Sequence, residues 1–193
     1  VRCKCWRSKV IDVENWNKTF PKYPRTIQDK GWVYGVWYCG TAWQKVALHG
    51  QYPPGFLKRA LALFPSAVDI LHCPSGTLTG PGVTVDLIRD KVRQPRCLAS
   101  ADVLPFPDSS FDLYLSDPPY TPKDSALYNC PPYPLNKAVR EARRVLRPGG
   151  YLGMLHTYYP VYRRTELKLD GLIAVITGFS RATRIFSIFR CLK

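Results

Sequence analysis

Ser116-Asp117-Pro118-Pro119-Tyr120 sets a carboxylate, two residues of locked φ and a phenol at the end of the apolar run Phe111 to Ser116. Prolines lack N–H groups and hold the backbone rigid, so a carbonyl here meets a ligand from a fixed direction. A carboxylate beside such a carbonyl can accept both hydrogens of an amino group. This matters for an amine on an aromatic ring, whose delocalised lone pair makes it a poor nucleophile. Accepting both N–H hydrogens favours sp³ nitrogen and aims the lone pair at an electrophile. Tyr120 adds a face on which a flat ring can stack. A polar turn after a strand would use similar residues, since Asp-Pro is common in turns. The surrounding sequence favours the chemical reading.

Asp86, Asp102 and Asp117 recur at intervals of sixteen and fifteen residues, each at or just after an apolar stretch. In an open α/β sheet the carboxyl ends of the strands line the ligand crevice. The three carboxylates are therefore expected to converge on one cleft, as acceptors for hydroxyls and amines rather than as metal ligands.

The elements that would position them follow from periodicity. Pro54 to Leu63 reads as a helix with Phe56, Leu57, Ala60, Leu61 and Phe64 on one stripe. Ala67 to Leu71, Val83 to Leu87, residues 97–101 and Phe111 to Ser116 read as strands. Leu135, Ala138, Val139, Ala142, Val145 and Leu146 fall at helical spacing, with Arg140, Glu141, Arg143 and Arg144 turned outward. Pro148-Gly149-Gly150 ends that helix, and Tyr151 to Leu155 begins a fifth strand. Leu172 to Thr177 and Arg184 to Phe189, joined by a short connection, predict an antiparallel hairpin. The class is α/β, a mostly parallel sheet closed by a C-terminal hairpin. Residues 121–134 read as a Pro-rich loop.

The net charge is +14. Residues 1–50 carry nine Lys/Arg against three Asp/Glu, residues 136–193 twelve against three, and residues 51–135 seven against eight. Basic ends around a neutral centre suit a polyanion surface framing a site for a different ligand. Trp6, Trp16, Trp32, Tyr34, Trp37, Tyr38 and Trp43 lie among Lys and Arg in residues 1–48, a pattern that serves base stacking or a small apolar core equally well. Seven scattered cysteines read as reduced thiols, and Cys3 and Cys5 are too close for a zinc knuckle, so no metal is expected. With no apolar run of membrane-spanning length and no continuous apolar signal segment, the expectation is a cytoplasmic chain without membrane contact.

The sequence resembles the class I S-adenosylmethionine-dependent amino-methyltransferases of adenine and cytosine bases, whose Asp/Ser/Asn-Pro-Pro-Tyr/Phe motif closes the fourth strand. Three further stretches carry the likeness: Asp102 to Leu113, the link between strands three and four; Val145 to Leu152, the turn into strand five; and His49-Gly50-Gln51-Tyr52-Pro53-Pro54, which precedes the first strand. The resemblance covers residues 49–193. It implies one Rossmann-like methyltransferase domain over 1–193, with a catalytic core at 49–193 and an N-terminal extension of unknown role at 1–48.

It also implies S-adenosylmethionine as cofactor, with Asp117, Pro118, Pro119 and Tyr120 as the catalytic group. The cofactor would be held by Tyr52, by the turn His72-Cys73-Pro74-Ser75-Gly76, by Asp86 at the ribose, by Asp102 at the adenine amino group, by Val103 beside its ring, and by Asp117. The sequence departs from the family at that turn, which keeps a single glycine and places His72 where an acidic residue is usual. Only thirteen residues separate His72 from Asp86, so the first crossover must shrink to a loop or a single turn.

The leading expectation is adenine-N6 methylation of a flipped-out base, in DNA before RNA. An opening aspartate leans toward adenine, and the absence of a Pro-Cys dipeptide removes cytosine-C5 chemistry. Methylation of RNA adenine N6, of cytosine N4 or of protein glutamine, and a catalytically inactive nucleic-acid-binding relative, remain open. No inserted recognition domain is visible, so a protein partner or a second copy could supply target recognition.

Overall fold

Hydrophobic burial on both faces of a strand requires a continuous apolar run, and Phe111–Ser116 is buried at all six positions. A computed structural model describes residues 11–40, 52–178 and 183–193. In chain order its strands are β1 (Ile27–Asp29), β2 (Trp32–Tyr38), β3 (Ile70–His72), β4 (Val83–Asp86), β5 (Cys97–Leu98), β6 (Phe111–Ser116), β7 (Leu146–His156), β8 (Leu167–Ile176) and β9 (Arg184–Cys191). The helices are α1 (Val13–Thr19), α2 (Phe56–Leu63), α3 (Pro122–Leu127) and α4 (Leu135–Val145).

All nine strands form one sheet in the order β1-β2-β8-β9-β7-β6-β3-β4-β5. The centre, β4-β3-β6-β7, is parallel, and β9 runs antiparallel to both β7 and β8. This is the mostly parallel sheet with a closing hairpin that the periodicity implied, and it fits the Rossmann-like domain that the resemblance implied. Chain order reverses between β3 and β6, which makes the carboxyl ends of these two strands the natural crevice.

Two apolar layers hold the sheet. On one face α1 and α2 cover Leu113, Leu115, Phe186 and Ile188, while Trp16 stacks on Trp37 at 5.4 Å. On the other, Ala138, Val139, Ala142 and Val145 of α4 pack on Tyr114, Leu152, Met154 and Phe189. Residues of the 1–48 segment thus join the same core, and β2 extends the sheet by pairing in parallel with β8. Of the segment's aromatics, Trp16 and Trp37 are buried, whereas Trp32, Tyr34 and Tyr38 on the alternate face of β2 are exposed. Trp6, Trp43, Cys3, Cys5 and the stretch His49-Gly50-Gln51 lie outside the described residues.

Three local features differ from the sequence reading. Arg144 is not turned to solvent: it bonds Glu141, Asp108 and the carbonyls of Leu104 and Phe106, while Glu141 accepts from the Leu104 amide. A guanidinium carries five donors, enough to pin the whole link between β5 and β6 onto α4. The Pro-rich stretch contains α3, because Thr121 and Asp124 form a capping box and Pro122 takes the first helical position, where its missing N–H costs nothing. Finally, β7 starts at Leu146 rather than Tyr151, with Gly149 at φ 76° where its pairing with β6 shifts register.

Candidate active site

β6 delivers the motif. Asp117 follows its last residue directly, and α3 begins five residues later. Asp117, Pro118, Pro119 and Tyr120 all line a cavity of about 350 Å³ at the carboxyl ends of β3, β4 and β6. That volume falls within the range of small-molecule sites.

Tyr120 donates its phenolic proton to Asp117 Oδ1 at 2.5 Å. Arg184, the first residue of β9, approaches Asp117 Oδ2 at 3.7 Å and lies over the Tyr120 ring at 5.3 Å. Burial pushes the Asp117 carboxyl up to about 6; the Arg184 charge and the Tyr120 hydrogen bond oppose that rise. The ring of His156, at the end of β7, packs against Tyr120 at 4.8 Å. Burial lowers His156 to about 4, and its Nδ1 accepts the Thr157 amide at 2.9 Å, so the ring is neutral near pH 7.

The turn after β3 forms the opposite wall through Cys73, Pro74, Ser75 and Gly76. Asp86 joins it at 7 % exposure, accepting from the Gly76 amide at 2.8 Å and the Ile88 amide at 3.2 Å. One carboxylate therefore ties together two wall segments, and with roughly four acceptor sites it retains capacity for a ligand hydroxyl. Ser75 Oγ is buried in the wall without a hydrogen-bond partner among the described residues. Burial pushes the Cys73 thiol up to about 12, which keeps it protonated and unreactive.

Tyr52 also lines the cavity, with its hydroxyl 3.2 Å from His72 Nδ1. His72 Nε2 lies 2.8 Å from the Pro81 carbonyl, which can only accept, so Nε2 carries the proton and Nδ1 accepts from Tyr52. His72 itself is fully buried behind the wall, and burial lowers it to about 4. Asp102 and Val103 also stand outside the lining. Asp102 accepts a hydrogen bond from Ser100 within a tight turn, and Val103 is 71 % exposed. Ala99, Ser100 and Ala101 line the cavity in their place.

The sequence reading did not single out Arg184, Arg93, Tyr128 or Tyr133. All four line the cavity. Arg93 binds Asp90 through Nε and Nη2 and the Tyr128 carbonyl through Nη1 at 3.2 Å, which links the loop after β4 to the segment after α3. No spacing rule connects either arginine to residue 117. The sequence touched Arg184 only as the start of the strand Arg184 to Phe189 and as part of the basic C-terminal third. Among the described residues no cluster of His, Cys, Asp and Glu is suited to a metal ion, and no helix is long and apolar enough to cross a membrane.

Residues 81–154 match a family described as a methyltransferase domain. No curated protein matches the chain. Among solved structures, TrmN from Thermus thermophilus is similar at 21 % identity and a TM-score of 0.51, over 76 % of this chain and 51 % of that one. A SAM-dependent methyltransferase from Methanosarcina mazei is similar at 14 % identity and a TM-score of 0.41, over 64 % and 92 % of the two chains. The likeness to TrmN concerns the fold. This chain corresponds to about half of the TrmN chain.

Proposed function

We propose that this chain, whose residues 81–154 match a methyltransferase domain and whose sheet is Rossmann-like, is an S-adenosylmethionine-dependent enzyme that methylates an exocyclic amine of a nucleic-acid base, adenine N6 foremost. The observation that carries this reading is Asp117: a carboxylate just past β6, in a cavity, hydrogen-bonded by Tyr120 and raised to about 6. The cofactor, S-adenosylmethionine, supplies an electrophilic methyl group on a sulfonium. The Ser75 hydroxyl, the spare acceptor capacity of Asp86 and the neutral turn Cys73–Gly76 fit its polar groups.

Asp117 accepts one amine hydrogen and the Pro118 carbonyl the other. Together they turn the nitrogen lone pair toward the methyl group. With the cofactor bound, an N–CH₃ bond would form as its S–CH₃ bond breaks, the thioether would be the leaving group, and the methylated nitrogen would have to lose a proton. A carboxylate held near 6 is a competent acceptor for that proton at neutral pH. The tyrosines around the cavity, with the apolar walls of Pro118 and Pro119, suit a flat ring. The net charge of +14 favours a polyanion over a protein as the carrier of that ring.

The test supplies radiolabelled S-adenosylmethionine with DNA, RNA and protein pools and identifies the labelled nucleoside by mass spectrometry. Label in N6-methyladenine of DNA or of RNA supports the proposal and names the polymer. Label confined to protein contradicts it.

A further inference from the structure

We infer that Arg184 is a positioning residue for this chemistry, the counter-ion that keeps Asp117 charged and fixed in the cavity wall. The inference rests on the reading of Asp117 as the amine acceptor. Asp117 is met on both oxygens: Tyr120 donates to Oδ1 at 2.5 Å, and Arg184 Nη1 stands 3.7 Å from Oδ2. The two partners also hold each other, with the guanidinium 5.3 Å from the phenol centroid. A planar guanidinium can pair with a carboxylate while lying on an aromatic face, which an ammonium does less well. The side chains of Arg184 and Asp117 are 24 % and 12 % exposed, so solvent screens the pair only partly.

No other described cation on the cavity wall is placed to do this. The wall's second arginine, Arg93, is taken up by Asp90 and the Tyr128 carbonyl. Other titratable groups reach Asp117 or its cavity from every side: Tyr120 on its own loop, Tyr52 from the segment before α2, Cys73 after β3, Asp86 at the end of β4 with its oxygens on the Gly76 and Ile88 amides, Asp124 and Tyr128 from α3 and its end, Cys130 and Tyr133 before α4, and His156 from β7. The tyrosines are neutral near pH 7, His156 is neutral, and Asp124 is held by the Thr121 amide and hydroxyl. Arg184 therefore supplies the positive charge beside Asp117. It lies on the closing hairpin, where residue 184 pairs with Val175 of β8 while residue 185 pairs with His156 of β7. Among the described residues, the hairpin thus contributes to the site through the Arg184 side chain.

The experiment is a ¹³C NMR titration of the carboxyl groups in the full chain, with Asp117 assigned by its loss in Asp117→Asn. Removing the guanidinium in Arg184→Met should raise the Asp117 midpoint by roughly 1 pH unit or more, and Arg184→Lys should restore much of the difference. The acid limb of methyl transfer should move up in parallel, with turnover falling near pH 6 and recovering at higher pH. If Arg184→Met fails to fold, Arg184→Gln gives the same reading with an uncharged polar side chain. An unmoved Asp117 midpoint in a folded variant overturns the inference. Turnover retained in Asp117→Ala would instead remove Asp117 from the chemistry while leaving the titration intact, so the two failures are distinguishable.

Discussion

Tyr120 Oη and Asp117 Oδ1 stand 2.5 Å apart, joined by a hydrogen bond across the two prolines of the motif. The phenol thus acts on the carboxylate as well as offering a stacking face. The two roles separate on substitution. Tyr120→Phe keeps the face but removes a donor to a charged acceptor, an interaction worth about 1.5–3 kcal/mol. Its acid limb of methyl transfer should move to higher pH, because the hydrogen bond holds the carboxyl down against burial. Tyr120→Ala should in addition lose stacking of roughly 1–3 kcal/mol. Kinetics of both variants from pH 5 to 9 check this; an acid limb unmoved from that of the unaltered chain would mean that the hydrogen bond does not bear on the reaction.

Asp86 and Asp102 should differ in their effect on the cofactor. Asp86 lines the cavity and satisfies the Gly76 and Ile88 amides, so Asp86→Ala removes a ligand acceptor and orphans two backbone donors. Titration calorimetry should show S-adenosylmethionine binding weakened by roughly 1–3 kcal/mol. Asp102→Ala, whose carboxylate is outside the lining, should lose less than this. Equal losses would mean that the cofactor reaches past the Ser100–Ala101 wall.

Asp117 should cost the fold stability at neutral pH. Burial raises its carboxyl from 3.8 to about 6, so the folded state holds an extra proton between those values. Stability then falls as pH rises through that window, by up to about 3 kcal/mol at the top of it. Asp117→Asn removes the charge and should raise Tm at pH 7.5, with the gain gone below pH 4. Thermal melts at pH 4, 5.5 and 7.5 read this directly. A lower Tm at pH 7.5 would mean that the attraction to Arg184 outweighs the cost of burial.

Nucleic-acid affinity should fall steeply with salt, since bound phosphates release counter-ions from a chain of net charge +14. A fluorescence-anisotropy series between 50 and 200 mM salt, with each contact formed adding about 0.9 to the log–log slope, checks the expectation. A flat series would withdraw the preference for a polyanion.

Where one period dominated, the architecture could be read from the sequence. The six-residue run of β6, the apolar stripe of α4 and the short link between β8 and β9 each permit few alternatives. The role of residues 27–38 could not be read, because the pairing of β2 with β8 joins residues some 140 apart in the chain. Asp86 and Asp117 lie at or next to strand ends, and both line the cavity. Asp102 follows β5 by four residues, since that strand closes after Leu98 and a turn intervenes. Interval alone could not separate the two cases. Arg184 was invisible for another reason: its relation to Asp117 spans three neighbouring strands of the sheet.

The most direct measurement is single-turnover methyl transfer by Asp117→Ala, with S-adenosylmethionine binding and circular dichroism recorded on the same preparation. Asp117 acts chiefly in the transition state, so the rate should fall by roughly 10²–10⁴ while cofactor affinity, nucleic-acid affinity and the fold stay close to those of the unaltered chain. A folded Asp117→Ala chain that transfers methyl groups at a substantial fraction of the original rate would reduce the motif to a turn at the end of β6 and contradict the proposed function.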